Sequence, residues 1–232
     1  MKSIAIFYHC LFYMDSPDNL LMPAVNITKE QMSLLRYTEL IPTARELHVG
    51  INGGGESAQM ANLLIPSSAK IKLHGLQCHT ENRTIRMLEE WLPGKDDWYV
   101  LYFHAKGASH PEGHSFTTIW RNCMTHHCIR NWGQCVHDLD AGYDAVGCHW
   151  MTPPATPEGQ HIFAGTFWWA KASFLLTLPS ITEREQIKRA GLDALESRYE
   201  AEVWLGNGLR VPKVKDYHGP NWNPSKMDTC KL

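Results

Sequence analysis

Residues 98–103 read WYVLYF, which is the strongest strand signal in the sequence. Aromatic and branched side chains follow one another there without polar alternation, as in a strand that is buried on both faces. Residues 4–8 (IAIFY) have the same unbroken apolar character, and residues 46–51, 71–76 and 143–148 are further strand candidates. The sequence therefore predicts a sheet that is covered on both sides.

Helical patterns lie between these strands. Thr28, with a glutamine three residues later, forms a capping-box pattern that predicts the start of a helix. A second helix is expected to begin at Thr80 and to end at a Pro-Gly pair, and residues 120–139 and 181–199 predict two more. The proline-containing tail from Val211 is predicted to be irregular.

Composition and element order set the class of protein. The chain has 232 residues, of which 44% are hydrophobic and 20% are charged, and its net charge is −2. This balance is typical of a globular protein and excludes a surface built throughout to bind a polyanion. Because strands and helices alternate, we expect an α/β fold in which helices flank a mainly parallel, twisted sheet, as a single domain over residues 1–232.

The N-terminus bears on the expected location of the protein. Residues 1–10 (MKSIAIFYHC) resemble a short signal peptide, but no small-residue cleavage site follows, so a buried first strand is the better interpretation. No apolar run approaches the roughly 20 residues that are needed to cross a bilayer. We therefore expect a cytoplasmic protein without a membrane span.

Seven cysteines, an odd number in a chain of this length, predict reduced thiols rather than a disulfide framework. Cysteine and histidine cluster within residues 123–137, as Cys123, His126, His127, Cys128, Cys135 and His137. Cys123 and His127 lie four residues apart on one helix face, but the cluster lacks the paired short spacings of zinc modules. Packing as small apolar side chains is the favoured interpretation, and no metal ligand is assigned.

Parallel sheets bind ligands at the carboxyl ends of their strands, so the segments directly after strands are the most informative. Residues 103–107 (FHAKG) follow the strongest strand, where Lys106 offers a point charge for phosphate and Gly107 lets backbone amides approach. Arg121, in the next predicted helix, could hold a phosphate through two hydrogen bonds. A solvated turn and a surface ion pair explain the same residues at least as simply.

Two later segments carry aromatic and acidic side chains. In GTFWWAK (165–171), one of the adjacent indoles of Trp168 and Trp169 is expected to face the core and the other a cleft, where it could stack on a sugar or a base. Glu200 and Glu202 point to different sides of any regular element, so at most one enters a cleft, where it could act as a general base. Core tryptophans and a surface charge are the simpler interpretations.

Taken in order, these segments resemble a family of GT-A-like glycosyltransferases of bacteria, algae and large viruses. The family pattern has E-x-x-T-L, L-Y-x-H-x-K-G, W-R, G-Y-D-A-V-G, G-N-F-W-W-A-K and A-E-x-W. The corresponding stretches here are ENRTI (81–85), LYFHAKG (101–107), WR (120–121), GYDAVG (142–147), GTFWWAK (165–171) and AEVW (201–204). Their combination and order over residues 81–204 are specific, although each piece alone is not.

The resemblance implies a nucleotide-binding half, about residues 1–110, and an acceptor half, about residues 111–232. It implies transfer of a sugar from a nucleotide-sugar donor, most simply a UDP-sugar, to a hydroxyl of a carbohydrate or other acceptor. GT-A enzymes usually hold Mn²⁺ or Mg²⁺ on the donor diphosphate with an Asp-x-Asp motif. Here His104-Ala105-Lys106 takes that place, which puts ordinary metal dependence in doubt. Asp138-Leu139-Asp140 has the motif's letters but lies at a predicted helix end.

The resemblance and the spacing together suggest roles for individual residues. Glu202, Lys106 and Arg121 are the expected catalytic residues, with Glu200 as the less favoured base. The expected nucleotide contacts are His104, Lys106, Tyr8, His9, Glu81, Thr84 and His218, together with the glycines at 53–55. The expected sugar or acceptor contacts are Gly165, Thr166, Phe167, Trp168 and Trp169, with Thr166 standing where the family pattern has asparagine.

Two other functions remain open from the sequence. One is a viral-type enzyme that adds a sugar to a hydroxymethyl pyrimidine base, with DNA as the acceptor; the small size of the chain suits it, and the near-neutral charge argues against it. The other is a non-catalytic domain that binds a carbohydrate or a nucleotide and would tolerate the loss of Glu202.

Overall fold

A seven-stranded sheet forms the centre of the computed structural model, which describes residues 2–12, 21–75, 81–110, 115–152, 161–182 and 200–218. In spatial order the strands are β3 (Lys70–Leu73), β2 (Glu46–Asn52), β1 (Ser3–Leu11), β4 (Trp98–His104), β8 (Trp168–Lys171), β5 (Ala145–Gly147) and β9 (Val214–Asp216). Of these, β8 is antiparallel to its two neighbours, and the other pairings are parallel. The predicted α/β fold with a mainly parallel sheet is therefore confirmed.

Helices cover both faces of the sheet. They are α1 (Leu21–Tyr37), α2 (Leu40–Thr43), α3 (Gly55–Leu64), α4 (Asn82–Trp91), α5 (Ser115–Thr125), α6 (Trp132–Asp140), α7 (Ala172–Leu175) and α8 (Glu200–Trp204). A π-helical turn, His126–Arg130, lies between α5 and α6. The short strands β6 (Trp150–Met151) and β7 (Ile162–Phe163) pair with each other in a second, antiparallel sheet. None of the described helices has both the length and the apolar character that crossing a bilayer requires.

The unbroken apolar strands divide their side chains between two cores. Along β1, Ile6 and Tyr8 pack on the side of α1 and α3, whereas Ala5 and Phe7 pack on the side of α4, α7 and α8. Successive side chains of a strand point to opposite faces, so a strand buried on both faces must be apolar throughout. This is the physical reason why residues 4–8 and 98–103 were recognisable in the sequence.

The capping-box prediction at Thr28 is wrong, because α1 already begins at Leu21. Thr28 lies inside the helix, where its hydroxyl is 3.1 Å from the Tyr8 hydroxyl. Gln31, the other half of the predicted box, donates its amide to the carbonyl of His104 at 3.1 Å. Both side chains therefore contact the sheet instead of capping a helix.

Other predictions differ from the structure in detail. The helix expected over residues 120–139 is present as α5, the π-helical turn and α6, while the irregular tail contains β9, which pairs with β5. The second helix begins at Asn82 and is followed by Gly94 with a φ of 76°, as the Pro-Gly signal predicts. The helix expected over residues 181–199 lies almost entirely outside the described residues.

Candidate functional site

The predicted site residues gather at one edge of the sheet. The carboxyl ends of β1, β2, β4, β5 and β9 share this edge with the amino end of β8. The chain proceeds from β1 to β2 and β3 on one side and then crosses to β4 on the other side. Ligands of open α/β sheets bind where the strand order reverses in this way. His9 of β1 and His104 of β4 are direct neighbours in the strand register at this point.

A carboxylate orients His104. Its Nδ1 lies 2.8 Å from Oε1 of Glu81, and the second oxygen of Glu81 accepts a hydrogen bond from the Tyr102 hydroxyl at 2.9 Å. The Nε2 of His104 is buried and has no hydrogen-bond partner among the described residues. An imidazole that is held through one nitrogen presents its other nitrogen in a fixed direction, as in catalytic and metal-binding carboxylate–histidine pairs.

The charge of Glu81 is stabilised by this arrangement. Burial would raise the pKa of the Glu81 carboxyl, but the adjoining His104, together with His9 and Tyr102, lowers this pKa to about 2. Conversely, burial and the nearby carboxylate raise the pKa of the Tyr102 hydroxyl well above its ordinary value. Glu81 is therefore an anion at neutral pH, fixed at the amino end of α4.

His9 belongs to a buried chain of hydrogen bonds next to this pair. Its Nδ1 is 2.8 Å from the Thr84 hydroxyl, which is 3.1 Å from Nε2 of His74, and its Nε2 is 3.5 Å from the Asn52 amide nitrogen. Burial lowers the pKa of His9 to about 4 against the opposing effect of Glu81, and it lowers the pKa of His74 to about 4 as well. Both imidazoles are therefore neutral at neutral pH.

Gly50 leaves the space that this chain of hydrogen bonds occupies. A Cβ at Gly50 would lie 2.0 Å from the Thr84 hydroxyl oxygen and 2.5 Å from Nε2 of His74. Each distance is shorter than a real Cβ contact, so the glycine is required for the close packing of α4 against β2.

Lys106 and Arg121 are brought together, but not as two free cations. Arg121 is buried, donates to the backbone carbonyl of Lys106 at 3.0 Å and lies 3.7 Å from a carboxylate oxygen of Glu30. The Lys106 amine lies over the Trp120 ring, 4.1 Å from its centroid. Between them, Gly107 has a φ of 97°, in the region that favours glycine. Arg121 thus supports the turn that carries Lys106.

The residues after β4 do not fit a divalent metal on a diphosphate. Mg²⁺ and Mn²⁺ prefer carboxylate oxygens, and His104-Ala105-Lys106 supplies a histidine and a cation instead. Asp138 and Asp140 lie at the end of α6, and Asp140 accepts a hydrogen bond from Tyr99 near the amino end of β4. Asp140 therefore lies towards the opposite edge of the sheet, whereas Asp138 accepts a hydrogen bond from the Tyr217 hydroxyl at 2.9 Å.

The adjacent tryptophans are both buried, on opposite faces of the sheet. Trp168 stacks on Tyr102 with 5.2 Å between ring centroids, and Trp169 donates its indole N–H to the Cys128 carbonyl at 2.7 Å. Their exposed fractions are 1% and 0%. Because helices cover both faces, neither indole presents a ring face to solvent.

The turn before these tryptophans has an unusual backbone. Gly165 and Thr166 have φ angles of 90° and 56°, and Thr166 is buried with no hydrogen-bond partner for its hydroxyl among the described residues. A Cβ at Gly165 would lie 2.6 Å from the Met124 sulfur. Positive φ is costly for a β-branched residue. Phe167, which follows, is buried and has its ring 5.7 Å from that of His104.

Of the two glutamates in α8, Glu200 is the one directed towards the site. Glu200 is buried and accepts a hydrogen bond from the Asn82 amide at 2.9 Å, and Asn82 directly follows Glu81. Glu202, two residues further along α8, is half-buried. The two carboxylates thus differ in environment, as their spacing predicts.

The remaining predicted residues lie along the same edge. Tyr8 is buried against Thr28, and the glycines at 53–55 lead from β2 into α3. His218 follows β9, and its ring lies 4.7 Å from that of His149, which follows β5. Asp216 accepts the backbone N–H groups of His149 and His218 and thereby joins the two strand ends.

Tyr102, Asn52 and Asn82 contact the predicted residues but were not singled out in the sequence. Each lies in or at the end of an element at this edge: Tyr102 is in β4, two residues before its last residue His104, while Asn52 ends β2 and Asn82 begins α4. Polar residues at the ends of apolar strands are the available signal. Their partners depend on how α4 packs, which single-sequence patterns do not give.

Together, the fold and this edge define an α/β protein with a buried, histidine-rich polar site at the switch point of a mainly parallel sheet. Residues 7–207 match the family described as Domain of unknown function (DUF8361), and the chain belongs to that family. No curated protein matches the chain.

Solved structures with a similar fold are distant in sequence. One, assigned as a nucleotide-diphospho-sugar transferase from Desulfovibrio desulfuricans G20, is 14% identical, with 83% of this chain and 78% of that chain covered and a TM-score of 0.38. The 4-diphosphocytidyl-2C-methyl-D-erythritol synthase of Anaerococcus prevotii DSM 20548 is 10% identical, with 95% and 90% covered and a TM-score of 0.45. CMP:2-keto-3-deoxy-manno-octonic acid synthetase, complexed with CTP, is 9% identical, with 83% and 88% covered and a TM-score of 0.40.

Proposed function

We propose that the protein is a glycosyltransferase that transfers a sugar from a nucleotide-sugar donor, most simply a UDP-sugar, to an acceptor hydroxyl. The observation that carries the proposal is the Glu81–His104 pair beside Lys106, at the switch point between β1 and β4. This is the place where an α/β sheet binds a nucleotide, and it carries groups suited to a diphosphate. The order of the sequence motifs over residues 81–204, which resembles that of GT-A-like glycosyltransferases, supports the same assignment.

In the proposed reaction, the glycosidic bond to the donor phosphate breaks and negative charge grows on the diphosphate. The Lys106 amine neutralises this charge, and Nε2 of His104, directed by Glu81, donates a hydrogen bond to it when protonated. Stabilisation of charge that develops in the transition state is typically the largest catalytic effect of such groups. The absence of carboxylates in His104-Ala105-Lys106 is consistent with a cationic side chain in this role.

Arg121 acts in this proposal as a positioning residue. Its guanidinium is hydrogen-bonded to the Lys106 carbonyl and is buried, so it fixes the turn after β4 instead of contacting the donor. The buried Trp168 and Trp169, one on each face of β8, have a similar supporting role. The acceptor sugar is expected to lie against the exposed part of the edge and not against these indoles.

A carboxylate is needed to receive the acceptor proton if the reaction inverts the sugar configuration. Glu200 is the better placed candidate, because it accepts a hydrogen bond from Asn82, the residue that directly follows Glu81. Glu202, the residue favoured from the sequence, remains the alternative. Glu200→Gln and Glu202→Gln separate the two, since only the true base should lose transfer to the acceptor while it retains donor binding.

The experiment that tests the function measures nucleoside diphosphate released from a panel of nucleotide sugars. Wild type is expected to turn over at least one donor, and Lys106→Ala is expected to lose about 10²-fold or more of that rate. Lys29→Ala, which removes an exposed lysine of α1, is the matched control. Equal turnover in Lys106→Ala and wild type would refute the role of Lys106, and donor binding without turnover would favour a non-catalytic binding domain.

A further inference from the structure

A second group of chemically reactive side chains lies beyond the proposed donor site. The group has three members: Cys123 of α5, His127 of the π-helical turn, and Cys148, which follows β5. Their possible ligand atoms lie within 4.8 Å of one another. Cys123 and Cys148 are buried, and His127 is half-buried. Two sulfurs and an imidazole nitrogen are the donor set of many tetrahedral zinc sites.

Local structure explains why these donors converge. Cys123 and His127 are four residues apart along the helical segment, so their side chains lie on one face. Cys148 reaches the same point because β5 pairs with β8 at the register Val146–Trp169, and Trp169 is in turn hydrogen-bonded to the Cys128 carbonyl. The sheet and the π-helical turn are therefore held in fixed relation around the three donors.

We propose that Cys123, His127 and Cys148 bind one zinc-class divalent cation in the reduced protein. Zinc–sulfur and zinc–nitrogen bonds of about 2.3 and 2.0 Å place tetrahedral ligand atoms about 3.5 Å apart, within the present separation after small side-chain shifts. The ion would tie the helical segment to the carboxyl end of β5. Cys123, His127 and Cys148 take no part in the proposed donor site, so the two proposals can be tested separately.

The surroundings offer a fourth ligand position. The His127 ring stacks on Tyr217, 5.4 Å between centroids, and lines a pocket of about 400 Å³ together with Asn131 and Gln134. Water can therefore approach from the His127 side. His218, next to Tyr217, has a buried Nδ1 without a hydrogen-bond partner among the described residues and provides another nitrogen on this side.

The redox state of Cys123 decides whether this site can form. Cys148 is a free thiol, as are Cys10, Cys128 and Cys135, whereas Cys123 takes part in a disulfide whose partner is not among the described residues. The prediction of reduced thiols is thus confirmed for those four and not for Cys123. A phosphine reductant supplies the two electrons, and water the two protons, that return Cys123 to a thiol; metal binding then releases the thiol protons.

Cobalt titration of the full chain, purified metal-free with a phosphine reductant, tests the proposal. Wild type should bind one equivalent of Co²⁺ with tetrahedral d–d bands and a thiolate charge-transfer band, and zinc should displace it. Cys148→Ala and the half-buried His127→Gln should each weaken binding at least ~10-fold. Cys10→Ala and Cys135→Ala remove buried free thiols outside the set and should bind as wild type does.

Circular dichroism checks that each variant is folded, and His127→Gln decides the outcome if Cys148→Ala does not fold. The proposal is overturned if folded, reduced wild type shows no thiolate–cobalt band. It is equally overturned if His127→Gln binds cobalt as tightly as wild type. Loss of binding in the Cys10 and Cys135 controls to the same extent would also contradict it, since it would show a general effect of core packing.

Discussion

Nδ1 of His104 lies 2.8 Å from Oε1 of Glu81, although the two residues are separated by a helix and a strand in the chain. The contact joins the amino end of α4 to the carboxyl end of β4, beside the register neighbour His9. It fixes the imidazole in one orientation and leaves its buried Nε2 without a hydrogen-bond partner among the described residues. Several consequences of this pair and of its surroundings can be measured.

Glu81→Gln is expected to lower turnover of the donor by about 10²-fold or more, because a neutral amide does not hold the His104 imidazole in place as the charged carboxylate does. Donor binding should change much less, since Lys106 remains. Steady-state kinetics that separate kcat from KM check this prediction. Glu56→Gln, an exposed glutamate in the first turn of α3, is the control and should behave as wild type. A Glu81→Gln enzyme with unchanged kcat would show that the pair is merely structural.

The same carboxylate predicts how stability depends on pH. The pKa of Glu81 is about 2 in the folded protein against an ordinary value of 4.5, so its ionised form stabilises the fold at pH above about 4.5. That contribution is lost as the pH falls from about 4.5 towards 2. The difference in free energy of unfolding between wild type and Glu81→Gln should therefore be largest at neutral pH and shrink on acidification. Urea unfolding at several pH values measures it, and a constant difference would contradict the assignment.

Gly50→Ala is expected to destabilise the protein by about 1–3 kcal/mol, because the added methyl group overlaps the Thr84 hydroxyl and His74. The displaced hydrogen bonds also include the one to His9, so activity should fall as well. Thermal unfolding and turnover check both effects. Gly55→Ala is the matched variant: a Cβ there meets nothing within 4 Å, so this change should be neutral or slightly stabilising. Equal effects of the two alanines would refute the packing argument.

Thr166→Asn is expected to stabilise the protein by about 1 kcal/mol. Thr166 has a φ of 56°, a conformation that asparagine tolerates and a β-branched residue resists. The buried threonine hydroxyl also has no partner among the described residues, and an amide has more ways to find one. Thr166→Val keeps the branching and should not stabilise. A lower melting temperature for Thr166→Asn than for wild type would contradict this explanation.

The sequence was sufficient for the parts of the fold that carry their own pattern. Residues 4–8 and 98–103 are apolar throughout because both faces of β1 and β4 are covered, and this is visible locally. The strand β9 (Val214–Asp216) was missed because three residues, none of them fully buried, carry no periodicity. The start of α1 was misplaced because Thr28 and Gln31 have the letters of a cap but bind the sheet.

The sequence predicted which residues belong to the candidate site, but not the contacts between them. His104, Lys106 and Glu81 could be selected because they flank strong elements, yet the Glu81–His104 pairing depends on how α4 packs. Likewise, Cys123 and His127 are visible as a helix-face pair, whereas Cys148 joins them only through the register of β5. The burial of both adjacent tryptophans follows from helices on each face of β8, which spacing along the chain does not reveal.

The binding of UDP by isothermal titration calorimetry tests the central claim most directly, since it asks whether a diphosphate is held at the end of β4. Wild type should bind UDP, Lys29→Ala should bind it equally well, and Lys106→Ala should bind it about 10-fold or more weakly. If Lys106→Ala binds UDP with the affinity of wild type, or if wild type binds no nucleoside diphosphate, the site at the β1–β4 switch point is not a diphosphate site.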